Sequence, residues 1–189
     1  MVAEQLDVDI QVAPLIDAAL GERSQYLVVD GSGIQDAIVA ERIALSGRVG
    51  LIQLDQLPRQ RSGEGIRLDG LKGVVGRADR LVRCQPEHEA MVRHLLGRTW
   101  IVESMEVALG LKKLGGAGLR FVTARGEVLE KDGSMVVGPV GSASGLVSRK
   151  SELTAASQSI EHYQYQLEQA EDETGRLAEK VDEDAATLG

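Results

Sequence analysis

The chain has 189 residues, 43% of them hydrophobic, and a formal net charge of −8 at pH 7, which gives enough apolar material for one medium or two small domains and excludes a disordered or fibrous protein. A single cysteine, Cys84, excludes an intramolecular disulfide framework and favours a reducing compartment. We find no signal peptide and no apolar run approaching the roughly 20 residues of a spanning helix, so we expect a cytoplasmic protein.

The acidic residues are concentrated at the C-terminal end of the chain. From Gln158 onward there are nine acidic and two basic residues, a net charge of −7, so Met1–Ser157 carries only −1. Within that part, Arg59–Arg83 holds seven basic residues and three acidic ones. This local excess is compatible with phosphate binding, and the alternative is a solvated surface loop.

The first half of the chain predicts two helices that alternate with two strands. Val12–Leu20 has helical character and is followed by Gly21, a residue that readily takes the left-handed cap conformation. Tyr26–Val29 is a continuous apolar run, which predicts a strand buried on both faces. A helix over Ile34–Ala44 and a strand over Val49–Leu54 follow.

The second half repeats this order of elements. It predicts helices over Glu87–Leu96 and Met105–Leu114, and strands over Trp100–Val102 and Leu119–Ala124. The segments LIDAALG, YLVVD and RVGLIQLD align with MVRHLLG, TWIVE and GLRFVTAR, about 70 to 76 residues later. This internal duplication predicts a mixed α/β (α+β) fold of two related subdomains, with Pro58–Gly70 as the linker.

A short strand between glycines, Gly73–Gly76, precedes the second repeat and has no counterpart in the first. We therefore expect that the first strand of the duplication is truncated and belongs before Met1. The predicted organisation is subdomain I over 1–57, a linker over 58–70, subdomain II over 71–150 and a coiled-coil arm over 151–189.

From Leu153 the hydrophobic period changes to seven residues. One set of positions recurs at strict sevens, and a second set follows three residues after its first four members. The two sets are Leu153, Ile160, Leu167, Thr174, Val181 and Leu188, and Ala156, Tyr163, Ala170 and Leu177. These are the a and d positions of a coiled coil, about 54 Å long at about 1.5 Å per residue.

Such a seam needs a partner helix, which the short segment before Val12 does not supply. The alternative is a helix folded back on its own domain. It is less favoured because the outer positions of the helix are strongly acidic.

No motif for nucleotide hydrolysis is present, because the sequence has no GxxxxGK[ST] phosphate loop. Gly31–Asp36 follows a predicted strand and opens a helix, as a dinucleotide fingerprint does, but Asp36 replaces the third glycine. The equivalent turn of the second repeat, Glu103–Glu106, has no glycine. The shared feature is a capped turn, with Ser32 or Ser104 near the cap. A small-molecule or nucleotide-binding α/β domain using Gly31–Asp36 is the alternative function.

Candidates for a metal or a catalytic nucleophile are weak. Cys84, His88 and His94 lie close in sequence without a further Cys or His nearby, so the histidines are better interpreted as ordinary helix residues. Gly141–Gly145 resembles a nucleophile elbow only in its glycines, because Ala143 occupies the serine position. We therefore predict no catalytic residue, no metal and no cofactor in this chain.

The duplicated units, the segment RFVTARGEVLEKDGSMVVGP and the exit GLVSRKSEL resemble the hinge domain of bacterial-type structural maintenance of chromosomes (SMC) proteins over nearly the whole chain. In that family the hinge carries RxVTLxGxxxxxxGSxTGG before the chain returns into its coiled-coil arm. The matching residues are Arg120, Val122, Thr123, Gly126, Gly133, Ser134 and Gly138, with the GVVG stretch at Gly73–Gly76. Asp132, Val136 and Val137 stand where the family tends to have Gly, Thr and Gly.

The resemblance implies a homodimerisation module of a protein of chromosome condensation and segregation. Family hinges form a two-fold ring in which subdomain I of one chain meets subdomain II of the other. The ring joins two arms whose far ends carry ATP-binding heads, outside this chain. Glycines beside a strand let a second backbone approach closely. We expect the dimer interface at Gly133, Ser134, Gly138, Val137, Gly73 and Gly76; the alternative is that these glycines form turns within one chain.

The family hinge also resembles a DNA-contacting element, with basic residues where the domain meets the arm. Arg149 and Lys150 match that junction. The resemblance thus implies contact with DNA phosphates in the nucleoid, independent of sequence and strongly salt-dependent. The acidic arm opposes such binding, and no membrane partner is expected.

Overall fold

The computed structural model of the chain describes residues 1–31, 33–58, 67–116, 118–138 and 145–187, with side chains as far as Leu177. The chain divides into two units, Met1–Ser151 and Glu152–Gly189. The first unit is a mixed α/β domain, as predicted. The predicted boundaries between two subdomains and a linker inside it stay a prediction.

Short strands and helices alternate along the described chain. The strands are β1 (Asp7–Val8), β2 (Leu27–Val29), β3 (Leu51–Gln53), β4 (Val74–Arg77), β5 (Val82–Arg83), β6 (Thr99–Val102), β7 (Arg120–Thr123), β8 (Val128–Leu129) and β9 (Met135–Val136). The α-helices are α1 (Ala13–Leu20), α2 (Gly33–Val39), α3 (Glu89–Leu96), α4 (Met105–Lys113) and α5 (Leu146–Thr187). Four 3-10 helices lie over Ala3–Gln5, Gly21–Gln25, Ala78–Arg80 and Pro86–His88.

The strand pairs of the two halves have the same register. β2 and β3 are parallel, with Val28 opposite Ile52. β6 and β7 are also parallel, with Ile101 opposite Val122. These are the residues that the alignment of the two repeats makes equivalent, so the structural register follows the sequence duplication.

A short antiparallel pair joins the two halves. β1 pairs with β5 so that Asp7 lies opposite Arg83, and the Arg83 Nε donates to the Asp7 carboxylate at 2.9 Å. The two residues are 76 positions apart, which is the offset between LIDAALG and MVRHLLG. Each repeat therefore contributes an equivalent strand to this ladder.

The hydrophobic core has two parts. The first joins the halves, because Ile16 and Leu20 of α1 and Met91 and Leu96 of α3 belong to one buried cluster. The second lies under the larger sheet and is built around Trp100. Burial of these aliphatic faces supplies the main stabilisation of the unit.

The larger sheet has five strands in the order β4-β6-β7-β8-β9. The order places β4 at one edge and β9 at the other. β4 contains a bulge between Val74 and Gly76. Strand β6, which lies between β4 and β7, is fully buried over Thr99–Val102.

The prediction that Tyr26–Val29 is buried on both faces is wrong. Leu27 is 41% exposed, and Val28 and Val29 are half-buried. The reason lies in the neighbours: β2 and β3 form a two-stranded sheet among the described residues, and α2 buries none of its residues.

The prediction of a helix over Ile34–Ala44 is too long, since α2 ends at Val39. Glu41 takes a left-handed conformation with φ 53°. The Arg42 N–H donates to the Ala37 carbonyl at 2.8 Å, and the Glu41 N–H donates to the Ile38 carbonyl at 3.0 Å. This is a Schellman end, formed with glutamate in the place usually taken by glycine.

The second unit is one continuous helix, the part of α5 that follows Ser151. Its seam residues Leu153, Ile160, Leu167 and Leu177 are all more than half exposed. This is the arrangement expected of a coiled-coil strand before its partner is present. No helix in the described part of the chain is both long enough and apolar enough to span a bilayer.

Candidate functional site

The β9 edge of the larger sheet presents an apolar surface. β9 pairs with β8 on one side, with Val136 opposite Val128. Among the described residues no strand pairs with its other side. Met135, Val136 and Val137 are 52%, 62% and 64% exposed. A strand edge with unpaired backbone groups and apolar side chains is a ready template for a second chain.

The turn that leads into β9 holds two of the predicted interface residues. Gly133 has φ 100°, a conformation that favours glycine. The backbone N–H and the hydroxyl of Ser134 donate to the Asp132 carboxylate at 2.8 and 2.7 Å. These hydrogen bonds lower the pKa of the Asp132 carboxyl. Gly133 and Ser134 therefore have roles within one chain, and Asp132 organises the turn.

Beyond β9, Gly138 has φ 125°, and no atom of the described residues lies within 4 Å of the position that a Cβ would occupy. The backbone of Gly138 thus needs glycine for its conformation. Val137 next to it is 64% exposed.

Gly73 and Gly76 lie at the opposite edge of the sheet. Gly73 has φ 81°, and a Cβ on it would lie 2.7 Å from the Val107 Cγ2. Val107 of α4 packs so closely against Gly73 that this position requires glycine. Gly76 lies in the β4 bulge and meets only Leu81 at 3.8 Å. The structure does not bring these two residues together with Gly133, Ser134 and Gly138 on one edge.

The first half exposes an apolar set that sequence reasoning missed, here called the first-half patch. Its members are large side chains of β2, of α2 and of the segment that follows α2. They are Leu27, Val39, Ile43, Leu45 and Val49. The sequence contains these apolar residues, but only Leu27 lies in a segment predicted to be buried, and no interface was predicted at any of the five.

Asp17 caps the start of α5, a role that sequence reasoning also missed. Its carboxylate accepts from the backbone N–H groups of Val147 and Ser148 at 3.0 and 2.8 Å. It also accepts from the Ser148 hydroxyl at 2.5 Å. Gly145 lies against the same carboxylate, so that a Cβ there would overlap it. Carboxylates at helix N-termini are stabilising because the free N–H groups point at them.

The two residues predicted to contact DNA follow this cap. The Lys150 ammonium donates to the carbonyls of Glu4 and Leu6 at 2.5 and 2.7 Å, and the neighbouring Ser151 hydroxyl donates to the Val8 carbonyl at 2.8 Å. Arg149 is exposed. Lys150 thus ties the start of α5 to the N-terminal segment, and DNA contact stays a prediction for both residues.

The remaining sequence candidates do not form a site together. No group of three or more His, Cys, Asp or Glu residues suited to a metal ion lies in the described ranges. Burial raises the pKa of the Cys84 thiol, with a smaller contribution from Glu89, and His88 is buried in its 3-10 helix. At the Gly31–Asp36 turn, the Gln53 side chain donates to the Gly31 carbonyl at 3.2 Å. Ser32 and residues 141–144 lie outside the described residues.

Comparisons with family models, with known protein sequences and with solved structures all find the same family. The family model described as SMC proteins Flexible Hinge Domain matches residues 1–112. The chain is 57% identical, over its whole length, to the Chromosome partition protein Smc of Rhodopirellula baltica and covers 16% of that protein. It is 33% identical over 66% of its length to the protein of the same name from Aquifex aeolicus, covering 10% of it. The chain therefore spans a small part of these relatives.

Two solved hinge domains share the fold. One is the asymmetric dimer of the Geobacillus stearothermophilus SMC hinge domain, with a TM-score of 0.74, 29% identity and coverage of 85% of this chain and 66% of that one. The other is the Pyrococcus furiosus SMC hinge domain, with a TM-score of 0.58, 28% identity and coverage of 75% and 72%. Taken with the family match over 1–112 and the duplicated fold, they show that this chain belongs to the SMC hinge family.

Proposed function

We propose that this chain joins two copies of itself and so connects two coiled-coil arms of an SMC protein. The observation that carries the proposal is the open β9 edge, where Met135, Val136 and Val137 are more than half exposed and one side of the strand lacks a pairing partner among the described residues. Pairing by β-augmentation satisfies the backbone groups of this edge and removes its apolar side chains from water.

We propose that β9 of one copy contacts the first-half patch of the other copy. One member of this patch, Leu27, lies in β2 of the two-stranded sheet β2-β3. Among the described residues, that sheet lacks the neighbouring strands that cover β6 in the second half. A β9 strand from the second copy supplies such a neighbour. Two equivalent contacts then form by two-fold symmetry, because each chain offers both an edge and a patch. Gly138 and Val137 lie at this contact, and Gly133 and Ser134 shape the turn beside it.

The proposal extends to the parent protein. The exposed heptad seam of α5 takes a second helix as its coiled-coil partner, and ATP-hydrolysing heads lie elsewhere in the full-length chain. Relatives named Chromosome partition protein Smc support a role in chromosome segregation and an association with the nucleoid. The chain itself then acts mechanically and carries out no reaction.

The interface is tested by placing a charge on the β9 edge. Val136→Lys puts an ammonium on the strand that is to be covered, which opposes strand pairing, and we expect at least about a tenfold weaker dimer. Val75→Lys is the matched control, because Val75 is 56% exposed and lies in β4, at the opposite edge of the same sheet. Sedimentation velocity across a concentration series gives both dissociation constants. Equal constants for the two variants would remove β9 from the interface.

DNA contact by Arg149 and Lys150 is a separate and weaker proposal. It is supported by the match to the family junction and by the exposure of Arg149. The test is titration of a labelled duplex at low and moderate salt with the unmodified chain and with Arg149→Glu. We expect binding at low salt that falls with salt and with the substitution. Absence of binding at low salt, or binding unchanged by the substitution, contradicts it.

A further inference from the structure

Two cavities adjoin at the junction of the two halves. One has a volume of about 390 Å³ and the other about 440 Å³. Both are lined by Arg23, Tyr26, His94 and Leu95, so they form one cleft with two chambers. Neither the dimer contact nor the start of α5 uses this cleft.

The larger chamber is cationic. Its basic side chains come from the 3-10 helix after α1, from the end of α3 and the turn after it, and from β7 and the turn after β8. They are Arg23, His94, Arg98, Arg120 and Lys131. The acidic lining residues are Glu22 and Glu130. Arg120 donates to Glu130 at 2.6 Å and to the Ala19 carbonyl, so the charge of Glu130 is already paired.

Three cations of this chamber have no side-chain partner among the residues that the structure describes. Among the described residues, the side chains of Arg23, Arg98 and Lys131 make no hydrogen bond and no ion pair. The pKa of His94 is lowered by partial burial and by the positive charges of Arg23 and Lys131, so these charges converge on one place. Like charges gathered in this way repel each other, and a bound anion relieves the repulsion.

The smaller chamber is apolar with polar amides. Leu51, Leu57 and Leu95 provide its aliphatic wall, and the amides are those of Gln35, Gln53 and Gln56. Gln35 donates to Gln53, which in turn donates to the Gly31 carbonyl at 3.2 Å. Side-chain amides both donate and accept hydrogen bonds, so such a chamber suits a flat heterocycle with a polar rim.

Tyr26 stands between the chambers and is held in place. Its ring lies against Gly50, where a Cβ would overlap it, and its half-buried side chain lines both cavities. An aromatic ring fixed in this way offers a stacking face to a heterocycle.

We propose that this cleft binds a nucleoside phosphate, with the phosphate among Arg23, Arg98 and Lys131 and the base beside Tyr26 and the glutamines. The phosphate position lies on elements other than the Gly31–Asp36 turn, whereas Gln35 of that turn lines the chamber for the base. It adds a small-molecule ligand to a domain whose family role is mechanical.

The test is calorimetric titration of the intact chain with adenosine 5′-monophosphate, inorganic phosphate and adenosine at low salt. We expect one saturable site per chain for the monophosphate, with tighter binding than for either fragment. Arg23→Gln with Arg98→Gln should weaken monophosphate binding by at least about tenfold, since charge-assisted hydrogen bonds are lost. The matched control is Lys113→Gln with Arg125→Gln, two exposed residues outside both cavities, and we expect unchanged binding.

Two further measurements test the contribution of each chamber separately. Gln35→Ala should weaken monophosphate binding and leave inorganic phosphate unaffected. In an NMR titration, the bound phosphate should raise the pKa of His94, because it offsets the charged groups that face this histidine: Arg23, Arg98, Arg120 and Lys131, with Glu22 and Glu130 opposing them. Three outcomes contradict the proposal: equal binding by both double variants, monophosphate binding no tighter than that of inorganic phosphate, or no binding of the monophosphate.

Discussion

Asp17 is a single residue that links the first helix of the domain to the start of the last. It accepts three hydrogen bonds from Val147 and Ser148, and its loss leaves two N–H groups at a helix start without a partner. We expect Asp17→Ala to lower the free energy of unfolding by about 2 kcal/mol. Urea unfolding followed by circular dichroism measures it. The exposed Asp55 is the control, and Asp55→Ala should change stability by less than about 0.5 kcal/mol. Equal effects of the two substitutions contradict this role.

Alanine substitutions at Gly73 and Gly110 should change the stability of the domain in opposite directions. At Gly73 the backbone has φ 81° and the Val107 side chain fills the space of a Cβ, so we expect Gly73→Ala to destabilise the domain by about 2 kcal/mol. Gly110 lies inside α4 with no atom near its Cβ position, so Gly110→Ala should stabilise the domain by about 0.5 to 1 kcal/mol. Thermal unfolding of both variants measures the difference. A Gly73→Ala variant of unchanged stability would contradict this packing role and favour a role of Gly73 in the interface.

Glu41 adopts a backbone conformation that costs a side-chain-bearing residue free energy. Its φ of 53° ends α2, and left-handed backbone disfavours residues other than glycine by about 1 kcal/mol. We therefore expect Glu41→Gly to raise the free energy of unfolding by several tenths of a kcal/mol, whereas Ala40→Gly, one residue earlier, should lower it. Chemical unfolding of the two variants compares them. A loss of stability in Glu41→Gly as large as that in Ala40→Gly contradicts the assignment.

At the scale of elements, repetition made the strand pairs predictable. The alignment of YLVVD with TWIVE places Val28 at the same point as Ile101, and both residues occupy the same register in parallel pairs. The burial of these strands was not predictable in the same way. Val28 and Ile101 are similar side chains, but in the described part of the chain β6 lies between two strands, whereas β2 pairs with one. Apolar periodicity predicts that a residue will be buried, but it does not show whether its own chain or a second copy buries it.

The heptad seam offers a second route to a dimer, so the two routes have to be separated. Ile160 and Leu167 are exposed seam residues of α5, and charges there prevent coiled-coil pairing. If the sheet edge joins the copies, Ile160→Lys with Leu167→Lys should leave the chain dimeric, whereas Val136→Lys should weaken the dimer. Light scattering after gel filtration measures the mass of each variant. A monomer from the seam variant together with an intact Val136→Lys dimer contradicts the proposed interface.

For the whole molecule, the sequence predicted the family, the fold class and the long helix, whereas the interface residues stay a prediction. Its interface candidates were chosen because glycines match the family pattern. Three of them, Gly73, Gly133 and Gly138, have positive φ angles within a single chain. The first-half patch was missed for a physical reason. Residues that become buried between two copies have the composition of core residues, and only a fold shows that one chain leaves them exposed.

In the proposed dimer, two copies of this chain associate through the first unit, and sedimentation equilibrium of the unmodified chain measures this association. We expect a mass of twice the 20.3 kDa of one chain at micromolar concentration, and the same doubled mass for the variant with lysine substitutions at Ile160 and Leu167. A mass of one chain at every concentration examined contradicts it.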